Sequence, residues 1–375
     1  MKITKIEYQK YKLGGMNGYV PWSMVKVYTD EGIVGYGEPV LEGRIRTIET
    51  AVMELGDYII GKDPRDVERL WQLMYKGSFY RGGPVMSSAV SGVEQALWDI
   101  AGKWYDVPAY KLMGGAVRDR IRVYSHAFSV EHAKERVAQG FNAIKTVGTP
   151  YPIRIVDTPE VVLDLADRIG ELREAVGPTV DIAIDLHGRF SPAMAKKFIH
   201  ETEQYNPMFY EEPVLPGNDD VMADIAHRTH IPIATGERLY TRWGFKDIIA
   251  KRAADILQPD VCHCGGIWEL KKIAAMGEVN FCGLAPHNPM GAVALAASFQ
   301  ADASTINFFI QEHRSLGKGI LKTPFELDKD GFVAVPQGPG LGIEVDEEAL
   351  APCETDGAGH LGQFIDRDDN SYAQW

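Results

Sequence analysis

The run VDIAIDLH, residues 180–187, decides how this chain is read, because a short apolar stretch leads into an acid, Asp185, where a strand would end. The arrangement returns 26 residues later in PMFYEEP, at Glu211, and after another 26 in IPIATGER, at Glu237. Such an interval holds one strand, one helix and two loops, so the acids read as presented by successive parallel strands at one barrel rim. ILQPD then ends at Asp260, NFCGLAPH at His287 and INFFIQE at Glu312. Any one of these acids is equally well explained as the N-cap of the helix that follows. Together they are not, since clustered carboxylates repel unless a cation neutralises them, and a divalent metal with oxygen ligands accounts for the set.

Working outward, the rhythm of strand and helix begins at IRVYSH, continues through EHAKERVAQG and FNAIKTV, and gives eight strands between 121 and 312. GTPYPIRIVDTP, residues 148–159, carries three prolines and reads as an elaborated loop at the second strand's rim. Before the barrel, ITKIEY alternates as a strand and SMVKVYTDEGIVGYGEP folds as a hairpin about Asp30-Glu31-Gly32. LGGMNGYVPW, residues 13–22, is expected to be a mobile loop whose Met16, Tyr19 and Trp22 make apolar contacts, as lids do. Helical periodicity follows at Ile45, Ile48, Val52, Leu55 and Ile59, at Val67, Leu70, Leu73 and Met74, and in a stripe from Val85 to Ile100. The tail FELDKDGFVAVPQGPGLGIEVD reads as a hairpin and extended segments that return to the first domain. The division is therefore an α+β cap over 1–118, a barrel over 119–325 and a returning segment over 326–375.

Composition narrows the function. The chain has 375 residues, 45% hydrophobic and 24% charged, as in an ordinary soluble protein with a sizeable core. A net charge of −13 without a Lys/Arg run excludes the counterion displacement that nucleic-acid binding needs. No run approaches membrane-spanning length, and MKITKIEYQKYKL reads as a strand without the apolar core of a signal peptide. Cys262, Cys264, Cys282 and Cys353 lack the spacing of a disulfide framework or zinc site, and Cys262-His263-Cys264 has no second CxxC, so the thiols read as structural. A cytoplasmic protein acting on a small molecule, with no nucleic-acid or membrane partner, is the expectation.

The fragments FYRGGPV (79–85), QALWDIAGK (95–103), DLHGR (185–189), YEEPV (210–214), TGER (235–238), ILQPD (256–260) and LAPHNPMG (284–291) resemble, in order and spacing, the enolase superfamily and its mandelate racemase-like subgroup. The similarity is greater still to D-galactonate dehydratases. The resemblance implies a modified TIM barrel, (β/α)7β, under a cap built from both ends of the chain, with Mg²⁺ held by Asp185, Glu211 and Glu237. It also implies a homo-oligomer and a sugar-acid substrate. The metal binds the substrate carboxylate, the carbon beside it loses a proton, and the enediolate expels its β-hydroxyl to leave a 2-keto-3-deoxy acid.

Chemistry assigns the roles. His287 is the candidate base, because an imidazole titrates near working pH and Asp260 can hold its tautomer. His187, two residues beyond Asp185, points to that ligand's side of an extended chain and suits a general acid for the departing 3-hydroxyl. Glu312 is expected to hydrogen-bond the carboxylate oxygen that gains charge. Tyr80, Arg81, Lys145, Arg189, Arg238, Trp22 and His126 are candidate substrate contacts.

Racemases and lactonising enzymes of the superfamily resemble this chain but carry Lys-x-Lys on the second barrel strand, where it has Lys145-Thr146-Val147. Elimination is thereby favoured over racemisation. Gluconate, gulonate, arabinonate and mannonate stay beside galactonate as substrates, because the 13–22 and 148–159 loops and His126 depart from the galactonate pattern. A sugar-acid binding protein without turnover would have lost His187 or His287, and both are present.

Overall fold

The computed structural model describes every residue except 16–17, 155, 359–363, 367–368 and 374–375. Strands β1 (Ile3–Gly15) and β2 (Gly18–Thr29) pair antiparallel along their length, with Gly15 opposite Gly18, and β3 (Val34–Gly37) joins β2. The expected loop over 13–22 is thus mostly strand. Tyr11, Leu13, Trp22 and Met24 give the pair a buried row that carries the hairpin outward, while Met16 lies outside the described residues. Helices α1 (Ile45–Ile59), α2 (Val67–Lys76), α3 (Gly83–Tyr105) and α4 (Ala109–Leu112) follow. In α1 the buried side chains are those the periodicity named, Ile45, Ile48, Val52, Leu55 and Ile59 among them.

Helix α3 is buried far beyond its apolar stripe, with Ser87, Ser88, Ser91, Glu94, Gln95 and Asp99 also inside, because the small sheet covers one side and the barrel another. It lies so close to the sheet that a Cβ on Gly37 would stand 1.8 Å from the Gly92 carbonyl oxygen.

The second layer alternates β4 (Arg120–His126), α5 (Val130–Ala138), β5 (Ala143–Val147), α6 (Pro159–Val176), β6 (Asp181–Asp185), α7 (Pro192–Thr202), β7 (Phe209–Glu211), α8 (Asp219–Ala226), β8 (Ile233–Thr235), α9 (Thr241–Ala250), β9 (Ile256–Leu257), α10 (Ile267–Glu278), β10 (Gly283–Leu284), α11 (Ala292–Ala303) and β11 (Gln311–Glu312). This is the (β/α)7β order. The sheet runs β10-β9-β8-β7-β6-β5-β4-β11, with every one of these pairs parallel. Closure comes from a parallel bridge between Leu284 and Phe308, with the Phe309 amide donating to the Leu284 carbonyl at 2.7 Å. Inside, Ala143, Ala183, Ala234 and Ala285 pack with Tyr124, Phe209, Ile256 and Ile310, a mix of small and large residues that fills a barrel too narrow for uniform bulk.

Strand β12 (Phe332–Ala334) pairs antiparallel with β4, and the segment through α12 (Glu347–Leu350) then returns to the cap. There the Leu341 amide donates to Asp99 at 2.9 Å and Lys26 pairs with Glu347 at 2.6 Å. Beyond it the chain reaches the loops after β5 and β6, where Phe364 lies 4.3 Å from the Arg189 guanidinium and Asp366 is 3.6 Å from Arg154. Among the described residues no helix is long and apolar enough to cross a membrane.

Candidate active site

The parallel register brings the acids together. Asp185 and Glu211 are Cα partners across β6 and β7, and Glu237 follows β8 by two residues, so all three project at the C-terminal rim. Asp185, Glu211, Asp260 and Glu312 are buried, and Glu237 is nearly so. Lys145, from β5, reaches into their midst, with Nζ 3.0 Å from Asp185, 2.9 Å from Glu211 and 3.0 Å from Glu312. Burial works against the ammonium, but these three carboxylates outweigh it and hold Lys145 well above its usual range. Burial pushes Glu211 up to about 8, and Asp185 beside it adds to the push while Lys145 opposes it. Among the described residues, Glu211 Oε2 is buried without a hydrogen-bond partner. Among the described residues no group of three metal-binding side chains is gathered as ligands; at the rim Glu211 is paired with Lys145 and Glu237 with His287.

His287 Nδ1 lies 2.7 Å from Asp260 Oδ2, and its Nε2 lies 2.8 Å from Glu237 Oε2. Burial alone would lower this imidazole, but Glu237 and Glu312 outweigh it and raise it well above its ordinary value. Asp260 is held in turn by the Cys262 amide at 2.6 Å. His187 Nε2 stands 3.2 Å from Asp185 Oδ2, on a backbone with φ of +50° that the His187 amide fixes by donating to Asp185 Oδ1 at 3.0 Å. Burial lowers the His187 imidazole, with Asp185 pulling the other way.

Glu312 collects donors. His126 Nε2 lies 2.6 Å away, Lys145 Nζ 3.0 Å and the Asn288 amide 3.0 Å. It acts here as an acceptor, so the group in this corner able to donate to a substrate oxygen is Lys145 or His126.

The other candidates are more scattered. Arg238 donates to the buried Glu212 and, at 3.1 Å, to the His187 carbonyl, bracing the loop that presents His187. Arg189 donates to the Thr149 carbonyl at 2.5 Å and lies under Phe364. Trp22 is buried, with its indole N–H donating to Glu38 at 2.5 Å. Tyr80 and Arg81 stand exposed on the cap, and among the described residues neither has a hydrogen bond or ion pair to the acid cluster. Glu212, the second acid of YEEPV, escaped the sequence reading. Its signal was present as a charged residue directly after a ligand candidate; its backbone has φ of +41°, and its carboxylate accepts from Arg238.

Residues 129–349 match the enolase C-terminal domain-like family, and residues 16–114 match the N-terminal domain of mandelate racemase and muconate lactonizing enzymes. The chain is 43% identical to a D-galactonate dehydratase of Ralstonia pickettii and 42% identical to one of Ralstonia nicotianae, with 100% of both chains covered in each case. It also resembles an enolase from Agrobacterium radiobacter, provisionally assigned as a galactarate dehydratase and solved with Na and L-malate bound. That likeness has a TM-score of 0.92 and 33% identity, covering 100% of each chain.

Proposed function

The chain belongs to the enolase superfamily, as a hydro-lyase of its mandelate racemase and muconate lactonizing branch, and we propose that its substrate is an aldonate, D-galactonate first among them. One observation carries the mechanism: a His287–Asp260 pair 2.7 Å apart whose Nε2 faces the acid cluster at Glu237, with His187 on β6's loop beside Asp185 in the same cluster. Abstraction at C2 needs a base held in one orientation; the Asp260 contact holds Nδ1, so Nε2, the nitrogen that faces Glu237 and the acid cluster, is the one placed to take the proton. The C2–H electron pair then forms the C1–C2 double bond. As the carboxylate re-forms, that pair moves to make the C2=C3 double bond, the C3–O bond breaks, and the hydroxyl leaves as water with a proton from His187. The enol that remains tautomerises to the 2-keto-3-deoxy acid.

Members of this superfamily bind a metal, and Mg²⁺ fits the residues present. Asp185, Glu211 and Glu237 offer hard oxygen donors, Glu211 Oε2 lacks a partner among the described residues, and the acids outnumber Lys145 and His287. Bound by those three carboxylates, the ion would draw charge from the substrate carboxylate and so acidify C2. Lys145 and His126 donate to the oxygens around Glu312, and Arg238 keeps His187 in place. Residues 1–118 and 326–375 form the cap in this reading, 119–325 the barrel, and the protein works in the cytoplasm as a homo-oligomer.

Purified protein with Mg²⁺ is expected to convert an aldonate to a 2-keto-3-deoxy acid, read as a semicarbazone. A screen of galactonate, gluconate, gulonate, arabinonate and mannonate identifies which. No turnover on any aldonate or aldarate would overturn the dehydratase reading at this site.

A further inference from the structure

The loop carrying His287 is gripped from outside the barrel. Glu38, at the end of β3 in the cap, is fully buried and sends its carboxylate to the start of α11, four residues after His287. Its Oε1 accepts from the Gly291 amide at 2.5 Å and from the Trp22 indole at 2.5 Å, and its Oε2 accepts from the Ala294 amide at 2.9 Å. The fit is tight enough that a Cβ on Gly291 would stand 2.4 Å from Glu38 Oε1. The Glu38 amide in turn donates to Gln95 Oε1 at 2.9 Å, and Gln95 Nε2 donates to the Val261 carbonyl at 3.0 Å, next to Asp260. The Cys262 amide, one residue on, holds Asp260 Oδ1, and Asp260 Oδ2 holds His287. Hydrogen bonds and short backbone links therefore close a ring: Glu38, Gln95, residues 260–262, His287 and residues 288–291.

We propose that Glu38, working with Gln95, is a positioning residue for proton abstraction, fixing from the cap the distance and angle between His287 and Asp260. A carboxylate at a helix start stabilises the helix wherever it sits. What sets Glu38 apart is where its amides lie, since a shift of α11's first turn moves the His287 loop directly. Because Trp22 shares the same oxygen, the stem of the β1–β2 hairpin belongs to the unit, so the cap's seat on the barrel and the base's aim are mechanically one. Glu94 supplies a built-in comparison. It is also a buried cap carboxylate, and it accepts from the Ile267 and Trp268 amides at 2.7 and 2.9 Å, at the start of a helix that begins seven residues after Asp260.

The inference rests on His287 being the base, and the test separates the two. Glu38→Gln keeps the side chain's shape but leaves one accepting oxygen for three donors. It is expected to slow C2 proton exchange in D₂O about 10- to 100-fold with KM changed less than about 3-fold, as loss of a supporting contact does. Amide deuterium uptake should rise in peptides spanning 287–298. Glu38→Gln and Glu94→Gln should each lower Tm, since each loses an acceptor for helix-start amides, but Glu94→Gln should keep exchange within about 3-fold of wild type. If Glu38→Gln does not fold, Gly291→Ala, whose methyl pushes on Glu38 Oε1, carries the same expectation. Wild-type exchange in the Glu38 or Gly291 variant, or an equal loss in Glu94→Gln, overturns the proposal. Wild-type exchange in His287→Asn would instead remove the base assignment on which it stands.

Discussion

At the barrel rim, Asp185, Glu211, Glu237, Asp260 and Glu312 are set against charged side chains, Lys145 and His287, whereas along the cap–barrel seam Glu38 and Glu94 are buried against backbone amides. At the seam both oxygens of each acid are satisfied: Glu94 Oε1 takes the Trp98 indole at 2.8 Å and the Trp268 amide, and its Oε2 takes the Ile267 amide. At the rim the negative groups outnumber the positive ones, and Glu211 Oε2 has no partner among the described residues. A buried carboxylate closed by fixed dipoles is finished structure. A cluster carrying unbalanced charge is kept at a cost in stability and marks the place where charge is used.

The largest test of that contrast is His287→Asn, which keeps a hydrogen-bonding side chain but removes the proton acceptor. C2 exchange should fall at least about 1,000-fold while the fold survives, since general-base loss is of that order. A variant that both loses exchange and unfolds would show the rim to be scaffold as well. Next comes Lys145→Met. Removing the ammonium leaves three buried carboxylates facing one another, and the metal-free protein should lose about 3 to 5 kcal/mol of stability. Added Mg²⁺ should then raise its Tm more than that of wild type, because the ion restores the missing charge. Equal Tm gains would mean that Lys145 does not balance the cluster.

A smaller effect is expected at Arg238, which braces the His187 carbonyl and Glu212 with a single guanidinium. Arg238→Lys cannot span both acceptors in the same plane. Dehydration should slow about 10-fold while C2 exchange stays near wild type, since His187 and not His287 is disturbed. Equal slowing of both would mean that the brace serves the whole rim.

How legible these two regions were follows from the same contrast. The rim was read because its residues sit at strand ends, where the 26-residue period survives in the sequence and the parallel register converts it into contact, as Asp185 opposite Glu211 illustrates. Lys145 was read as a substrate contact, since nothing in AIKTV says that its ammonium turns into the acids of three other strands. The seam was missed. Glu94, Gln95 and Asp99 lie in a helix whose apolar stripe would send polar neighbours to solvent, yet Glu94 meets its partners 173 residues and more away. Periodicity reports one buried face, and α3 has more than one. The 13–22 stretch failed for a related reason: glycine-rich sequence reads as loop, although antiparallel pairing needs only backbone groups and the buried Tyr11–Trp22 pair supplies the anchor.

The smallest expected effect concerns the seam's response to pH. Burial pushes Glu94 up to about 8, against the pull of the Trp268 and Ile267 amides, the Trp98 indole and Lys272. An acid whose folded value is raised favours the folded state most when protonated. Its contribution is complete below the unfolded value of about 4.3 and is lost as pH rises through about 8. Wild-type stability should therefore decline between about pH 5 and pH 8 by roughly 1 kcal/mol per unit from this group, and Glu94→Gln, which cannot ionise, should flatten that part of the slope. Thermal melts of both proteins across that range decide the matter. Parallel slopes would mean that Glu94 is ionised throughout, with three N–H donors and the start of α10 outweighing its burial, and the seam would then be held by charge as the rim is.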